Sequence, residues 1–246
     1  MKSRHLAKDK KLFPSRQIKN FLLKFKLWDN FTPSPMYFKT EGIILLQKNL
    51  GEADKLLTIY TKDRGKLTCI AKGVRRPTSK KSGHIELGNW CKIFVAKGKN
   101  IDLLTEVELI KAFGAENFTS DKANKIYHLL EIVNLLTPIN QKSPHVFSLL
   151  VSFLNSISCG YNFNLVSSLF KIHLLKSLGF LSSTHLKTSH LKQLLVELED
   201  KDYRKLDGVA SLPKSDNLKL LSFLDSMIEN LTEKKLKTSK YVYAQL

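Results

Sequence analysis

Five cations, Lys72, Arg75, Arg76, Lys80 and Lys81, fall within ten positions of one another in the stretch Arg64 to Gly83, RGKLTCIAKGVRRPTSKKSG, which holds no acidic residue. Such a run suits a phosphate backbone, which asks for many weak ionic contacts and little recognition of base identity. Taken alone, the run is accounted for by a solvated loop, because charge runs are common and need no partner. Arg64 and Lys66 lead into it along a strand pattern that alternates around Leu67, Cys69 and Ala71 and then breaks into Gly, Pro and Ser. Further on, strand alternation puts Trp90, Lys92 and Phe94 on one face, opposite Cys91, Ile93 and Val95. Bases stack on exposed aromatics while lysines hold the phosphates. The competing account has Trp90 and Phe94 filling a core, with Ile93 and Val95 facing a neighbouring domain.

Covalent chemistry finds no comparable support. There is no nucleophile motif, no phosphate-cradling glycine loop and no His/Glu metal pattern. Glu106 and Glu108 alternate on one strand face, and Asp63 before Arg64–Gly65 is explained by turn chemistry. A two-metal nuclease would need converging carboxylates, and nothing in the spacing converges these. The expectation is a protein that is not an enzyme and needs no cofactor.

The totals agree with a polyanionic partner. The 246 residues carry a net charge of +18, and 43% of them are hydrophobic, enough for a real core. Charge of this size points to nucleic acid first, anionic membrane second and acidic protein third. Cys69, Cys91 and Cys159 are widely spaced in apolar surroundings. They read as buried free thiols of a reducing cytoplasm rather than as a disulfide or metal cluster. No apolar run approaches the length of a transmembrane helix, and no apolar core with a small-residue cleavage site marks a secretory signal.

Three segments position these residues. Residues 1–35 form a basic extension, expected to be poorly ordered. Within it Ile18 to Trp28 is amphipathic at helical spacing, a pattern that also fits a membrane-surface helix or a basic arm. Met36 is an alternative initiator, since clean strand patterning starts directly after it. Residues 36–113 hold five strand-like runs, Phe38–Gln47, Lys55–Thr61, Lys66–Val74, Asn89–Lys97 and Ile101–Lys111, joined by Gly, Asn and Asp turns. Five short strands so joined predict a small barrel of the oligonucleotide-binding (OB) type. In residues 114–246 the period changes to about 3.6. Helices are expected from a cap at Ser120 or Asp121 to Pro138, over Val146–Ile157 after Ser143–Pro144, and over Leu165–Leu178 from Asn162 to a stop at Gly179. Weaker ones follow at His185–Asp200 and Asp216–Leu231. The fold class is therefore α+β, a five-stranded OB barrel followed by a helical domain.

At this point the residues resemble a family. GIILLQKNLGEADKLLTIYTKDRGKLTCIAKGVRRPTSK and the later LLTEVELIKAF are similar to the N-terminal OB domain of RecO, a bacterial recombination mediator and DNA-repair protein. LVSSLFKIHLLKSLGF and ENLTEKKLKTSKY resemble its helical domain and basic ending. The resemblance implies binding of single- and double-stranded DNA, annealing of complementary strands, and help in loading recombinase onto coated single strands. It implies as partners RecR, RecF in some systems, and the acidic C-terminal tail of the single-stranded DNA-binding protein. Carried over, the DNA contacts are Lys72, Arg75 and Arg76, then Lys80, Lys81 and Arg64, with Lys66, Trp90 and Lys92 beside them. The tail site falls in the helical domain, where Lys171, Lys176, Lys234, Lys235 and Lys237 are the candidates, each otherwise part of a solvated helix face. Many members carry a four-cysteine zinc site after the Gly–Phe, but no cysteine follows Cys159 here. The zinc module is expected to be absent or degenerate, with His185 and His190 as solvent-facing residues. A cytoplasmic, nucleoid-associated location and no membrane partner follow. The alternative function is an RNA-binding or ribosome-associated OB protein.

Overall fold

The aliphatic runs between the Gly, Asn and Asp turns form the five expected strands: β1 (Tyr37–Leu50), β2 (Asp54–Thr61), β3 (Gly65–Ala71), β4 (Trp90–Ala96) and β5 (Asp102–Lys111). They close into a barrel in the order β1-β2-β3-β5-β4, all neighbours antiparallel except β3 and β5. This is the order of the OB fold. The computed structural model describes residues 36–113, 119–181, 193, 195–198 and 213–242. The extension with Ile18–Trp28, His185, His190 and most of the helix expected over His185–Asp200 lie outside the described residues.

β1 is the longest strand because it serves two partners. Tyr37–Ile43 pairs with β4, and Gly42–Leu50 pairs with β2 across a register shift between Ile44 and Leu46. Such a shift bends a strand and lets a small barrel close. At the overlap stands Gly42, where an added Cβ would lie 2.6 Å from Ile59 Cγ2. Period-two alternation then sorts the side chains. Ile44, Leu57, Ile59, Leu67, Ile93 and Val95 fill the barrel, and Ile85, from a 3₁₀ turn at Gly83–Ile85, joins the same core. Cys91, Ile93 and Val95 point inward, so the account that placed Trp90 and Phe94 in the barrel core does not hold.

Past the barrel the helices are α1 (Ser120–Leu136), α2 (Pro144–Ser158), α3 (Phe163–Ser177), α4 (Lys214–Thr232) and a short α5 (Ser239–Val242) that the sequence pattern does not announce. The α1 N-cap is Thr119, one residue before the expected Ser120 or Asp121, and its side chain makes no capping bond. At α2 and α3 the expected caps form. Ser143 Oγ accepts Val146 N–H at the start of α2, Asn162 Oδ1 accepts Asn164 and Leu165 N–H at the start of α3, and Gly179 turns the chain at φ +78° after it.

Helices this apolar need a common cover, and they share it with the barrel. Ile43 and Leu45 face outward from β1 and Tyr60 from β2, into the cluster that holds Phe153, Phe170 and Leu224. Burial pushes the Tyr60 phenol up to about 12. Barrel and helices thus form one compact unit, Tyr37–Leu246. The chain leaving α1 adds a backbone tie, with a parallel bridge from Ile139 to Lys66 and Asn140 N–H donating to the Lys66 carbonyl at 2.7 Å.

Candidate nucleic-acid interface

The cationic loop leaves the end of β3 as consecutive hydrogen-bonded turns. Arg76 N–H donates to Gly73 O at 3.2 Å, Ser79 N–H to Arg76 O at 2.9 Å and Ser82 Oγ–H to Ser79 O at 3.0 Å. Val74, 1% exposed, is driven into the barrel core, which turns the flanking Lys72, Arg75 and Arg76 outward. Lys80 is also exposed, and Lys81 is half-buried, its ammonium 3.4 Å from the Thr105 carbonyl of β5. Four cations are therefore exposed along this loop, while the apolar Val74 and Ile85 hold the loop ends down.

The turn between β1 and β2 lies against this loop. Gly73 N–H donates to Asp54 Oδ1 at 2.8 Å, Arg75 N–H to Ala53 O at 2.9 Å, and Arg75 Nη1–H to Gly51 O at 2.7 Å. At the loop's far end Lys55 Nζ donates to Gln47 Oε1 at 2.6 Å, Gln47 Nε2 donates to Glu86 Oε2 at 3.0 Å, and Lys55 is ion-paired with Glu86 at 3.5 Å. The E-A-D turn and the A-K-G-x-R-R loop, distant in sequence, are thus one hydrogen-bonded object. Asp54 reads in the sequence only as a turn residue.

The other expected contacts are not gathered there. Arg64 precedes β3, about 26 Å along the strand from the loop, and its guanidinium lies over the Phe38 ring at 4.0 Å. Lys66 is a correction. It is 8% exposed, and its ammonium donates to the Asn134 carbonyl at 2.6 Å, in the last turn of α1. A cation at a helix C-terminus meets carbonyls that lack intrahelical partners, so this lysine binds the bundle and not a phosphate. Burial first, and Lys234 second, lower its pKa. Trp90 is half-buried and packs edge-on against Phe147 of α2 at 6.3 Å, and so joins barrel to bundle rather than offering an open stacking face. Lys92 is exposed, but the register sets it between Glu41 and Glu108, which offset its charge. Phe94 stacks with Tyr37 at 5.7 Å beneath Lys39.

Among the candidates on the helices, Lys171 is the second correction. It is fully buried in α3 and ion-paired with Asp225 of α4, so it is neither a solvated face nor a docking residue. Lys176 is exposed in the last turn of α3. Lys234, Lys235 and Lys237 are exposed and rim a groove of about 780 Å³ with Lys48, over a floor that includes Leu45, Leu87, Tyr127 and Leu130. Glu131 also borders the groove, but its carboxylate accepts Lys237 N–H at 3.0 Å and Thr238 N–H at 2.9 Å, which fixes the C-terminal segment on α1.

The thiols divide as well. Cys69 and Cys91 are buried in the barrel, where desolvation raises each to about 12, so they are unreactive. Cys159, expected to be buried, is exposed at the C-cap of α2. Among the described residues no three His, Cys, Asp or Glu side chains group as a metal site, and no helix is long and apolar enough to cross a membrane.

A closed barrel of OB order, with a turn-built cationic loop at one end and a helical bundle sharing its core, defines an OB-barrel protein with an appended helical domain. Residues 36–113 match the family model for the recombination protein O N terminal, and residues 125–187 match that for the recombination protein O C terminal. The chain belongs to the RecO family. It is 34% identical over 146 residues to the DNA repair protein RecO of Dehalococcoides mccartyi strain BAV1, covering 59% of this chain and 58% of that one. It is 32% identical over 143 residues to that of Heliobacterium modesticaldum, covering 58% and 52%. With that of Desulforamulus reducens the identity is 27% over 240 residues, covering 83% and 93%. The first two alignments thus span little more than half of the relatives' length.

Proposed function

We propose that this chain is a mediator of DNA repair and homologous recombination that grips single- and double-stranded DNA through the Lys72–Lys81 loop. It anneals complementary strands and helps load recombinase onto coated single strands. The observation that carries the reading is the loop itself: exposed Lys72, Arg75, Arg76 and Lys80 on hydrogen-bonded turns at the end of an OB barrel. Four cations so spaced bind phosphates without reading bases. Pairing is accelerated by neutralising charge and concentrating two strands, with no covalent step, nucleotide or metal. RecR, and RecF in some systems, are the proposed partners on DNA, in the cytoplasm at the nucleoid. The groove rimmed by Lys48, Lys234, Lys235 and Lys237 supports a site for the acidic tail of the single-stranded DNA-binding protein, since cations surround an apolar floor.

The test is the salt dependence of binding and annealing in K72A/R76A/K80A. Each lost phosphate contact removes about 0.7 from the log–log salt slope on single strands and about 0.9 on duplex. The triple variant should lose roughly 2 and 3 units, equally for all sequences, and anneal more slowly. An unchanged slope removes the loop from the DNA surface, and stronger competition by RNA than by single-stranded DNA turns the assignment to an RNA-binding protein.

A further inference from the structure

The loop's cations can act together only if the loop is held in shape before DNA arrives. Three hydrogen bonds do this: Gly73 N–H to Asp54 Oδ1 at 2.8 Å, Arg75 N–H to Ala53 O at 2.9 Å, and Arg75 Nη1–H to Gly51 O at 2.7 Å. The first involves a carboxylate beside a surface meant for a polyanion, where its charge is unfavourable. Gly73 has φ +69°, and a Cβ there would meet nothing closer than Arg76 Cδ at 3.9 Å, so the backbone bends sharply at the point that Asp54 clasps. Without that acceptor the turn keeps its sequence and loses its fixed position against the β1–β2 turn.

We propose that Asp54 is a positioning residue for nucleic-acid binding: its carboxylate anchors Gly73 and, with the Arg75–Gly51 bond, joins the β1–β2 turn and the cationic loop into a single preformed clamp. This rests on the loop being the DNA surface. The clamp raises affinity by removing the entropy of ordering the loop on binding. Arg75 has a double role, since one guanidinium N–H serves Gly51 while its charge stays at the exposed surface.

The sign of the mutational effect separates positioning from charge. Removing a carboxylate near a polyanion should by electrostatics alone tighten binding. On this proposal D54A instead binds single- and double-stranded DNA about threefold to tenfold more weakly at fixed salt, the equivalent of one hydrogen bond, with its salt slope unchanged. D54N keeps an acceptor for Gly73 N–H and sheds the charge, so it should bind at least as tightly as the wild type. Unchanged or tighter binding by D54A overturns the proposal, as does equal weakening in both variants. Should D54A fail to fold, hydrogen exchange on the DNA-free wild type decides. Protected amides at Gly73 and Arg75 support the clamp, and exchange at the unprotected rate overturns it. If K72A/R76A/K80A binds as the wild type does, the loop reading itself has failed, whatever Asp54 does.

Discussion

Lys66, Lys171 and Lys80 look alike in a sequence, yet the first lies on a helix terminus, the second in the bundle core and the third in solvent. A lysine stem is apolar enough to enter a core, and what decides is whether an acceptor waits for its ammonium. Here Asn134 O and Asp225 do. Leaving such a buried charge unpaired costs about 3–5 kcal/mol. The same environment sets the acid behaviour of His128, which is fully buried, with Nδ1 2.8 Å from Thr238 Oγ1. Burial first, and the Lys171 charge second, lower its pKa well below the usual 6.5. In the unfolded chain it titrates near 6.5. As pH falls below that value, the unfolded state takes up a proton that the native state refuses, and stability falls. Above it the group adds no pH dependence. The loss should approach about 1.4 kcal/mol per pH unit until the native pKa is reached. Urea midpoints between pH 7.5 and 5 should show this slope in the wild type and less of it in H128N. Equal slopes would exclude His128 as the group responsible.

At the scale of elements, strands and helices were legible because period two and period 3.6 each leave one face apolar. The observed strand ends differ from the expected ones by at most three residues, as at Leu50 and Ala71. The pattern did not announce the Thr119 cap or the short α5. At Gly65 the expected turn is present, and tertiary contact constrains it further. This glycine has φ +69°, and a Cβ would lie 1.9 Å from the Gln141 carbonyl oxygen, where the chain after α1 crosses β3. G65A should therefore cost about 3 kcal/mol, from the left-handed backbone and from forced separation of barrel and bundle. G73A, with a similar φ but open space, should cost about 1 kcal/mol. Chemical denaturation of the two variants checks the difference, and equal losses would mean that the Gln141 contact is unimportant.

For the whole molecule, the sequence suggests a barrel with a bundle after it, while the structure gives them one core. Ile43, Leu45 and Tyr60 are buried among helix side chains, not within the barrel. Fully exposing three such side chains forfeits roughly 5–9 kcal/mol, comparable to the entire stability of a small domain. A fragment of residues 36–113 should therefore unfold at a much lower urea concentration than the full chain. A fragment as stable and cooperative as the whole protein would show that barrel and bundle are energetically independent.

The OB barrel, the helical region and the basic stretch after the third strand are legible in residue order, because periodicity, turn residues and charge are local properties. That order also carried the RecO resemblance, since the E-A-D turn, the R-G-K-L hairpin and the A-K-G-x-R-R loop are contiguous motifs. Which lysines are buried and which stay exposed, and that Asp54 accepts Gly73 N–H, follow from the three-dimensional fold alone. Burial of an ammonium and the choice of a hydrogen-bond partner depend on residues far apart in the chain, 68 positions for Lys66 and Asn134 and 110 for His128 and Thr238. No local pattern encodes such a meeting.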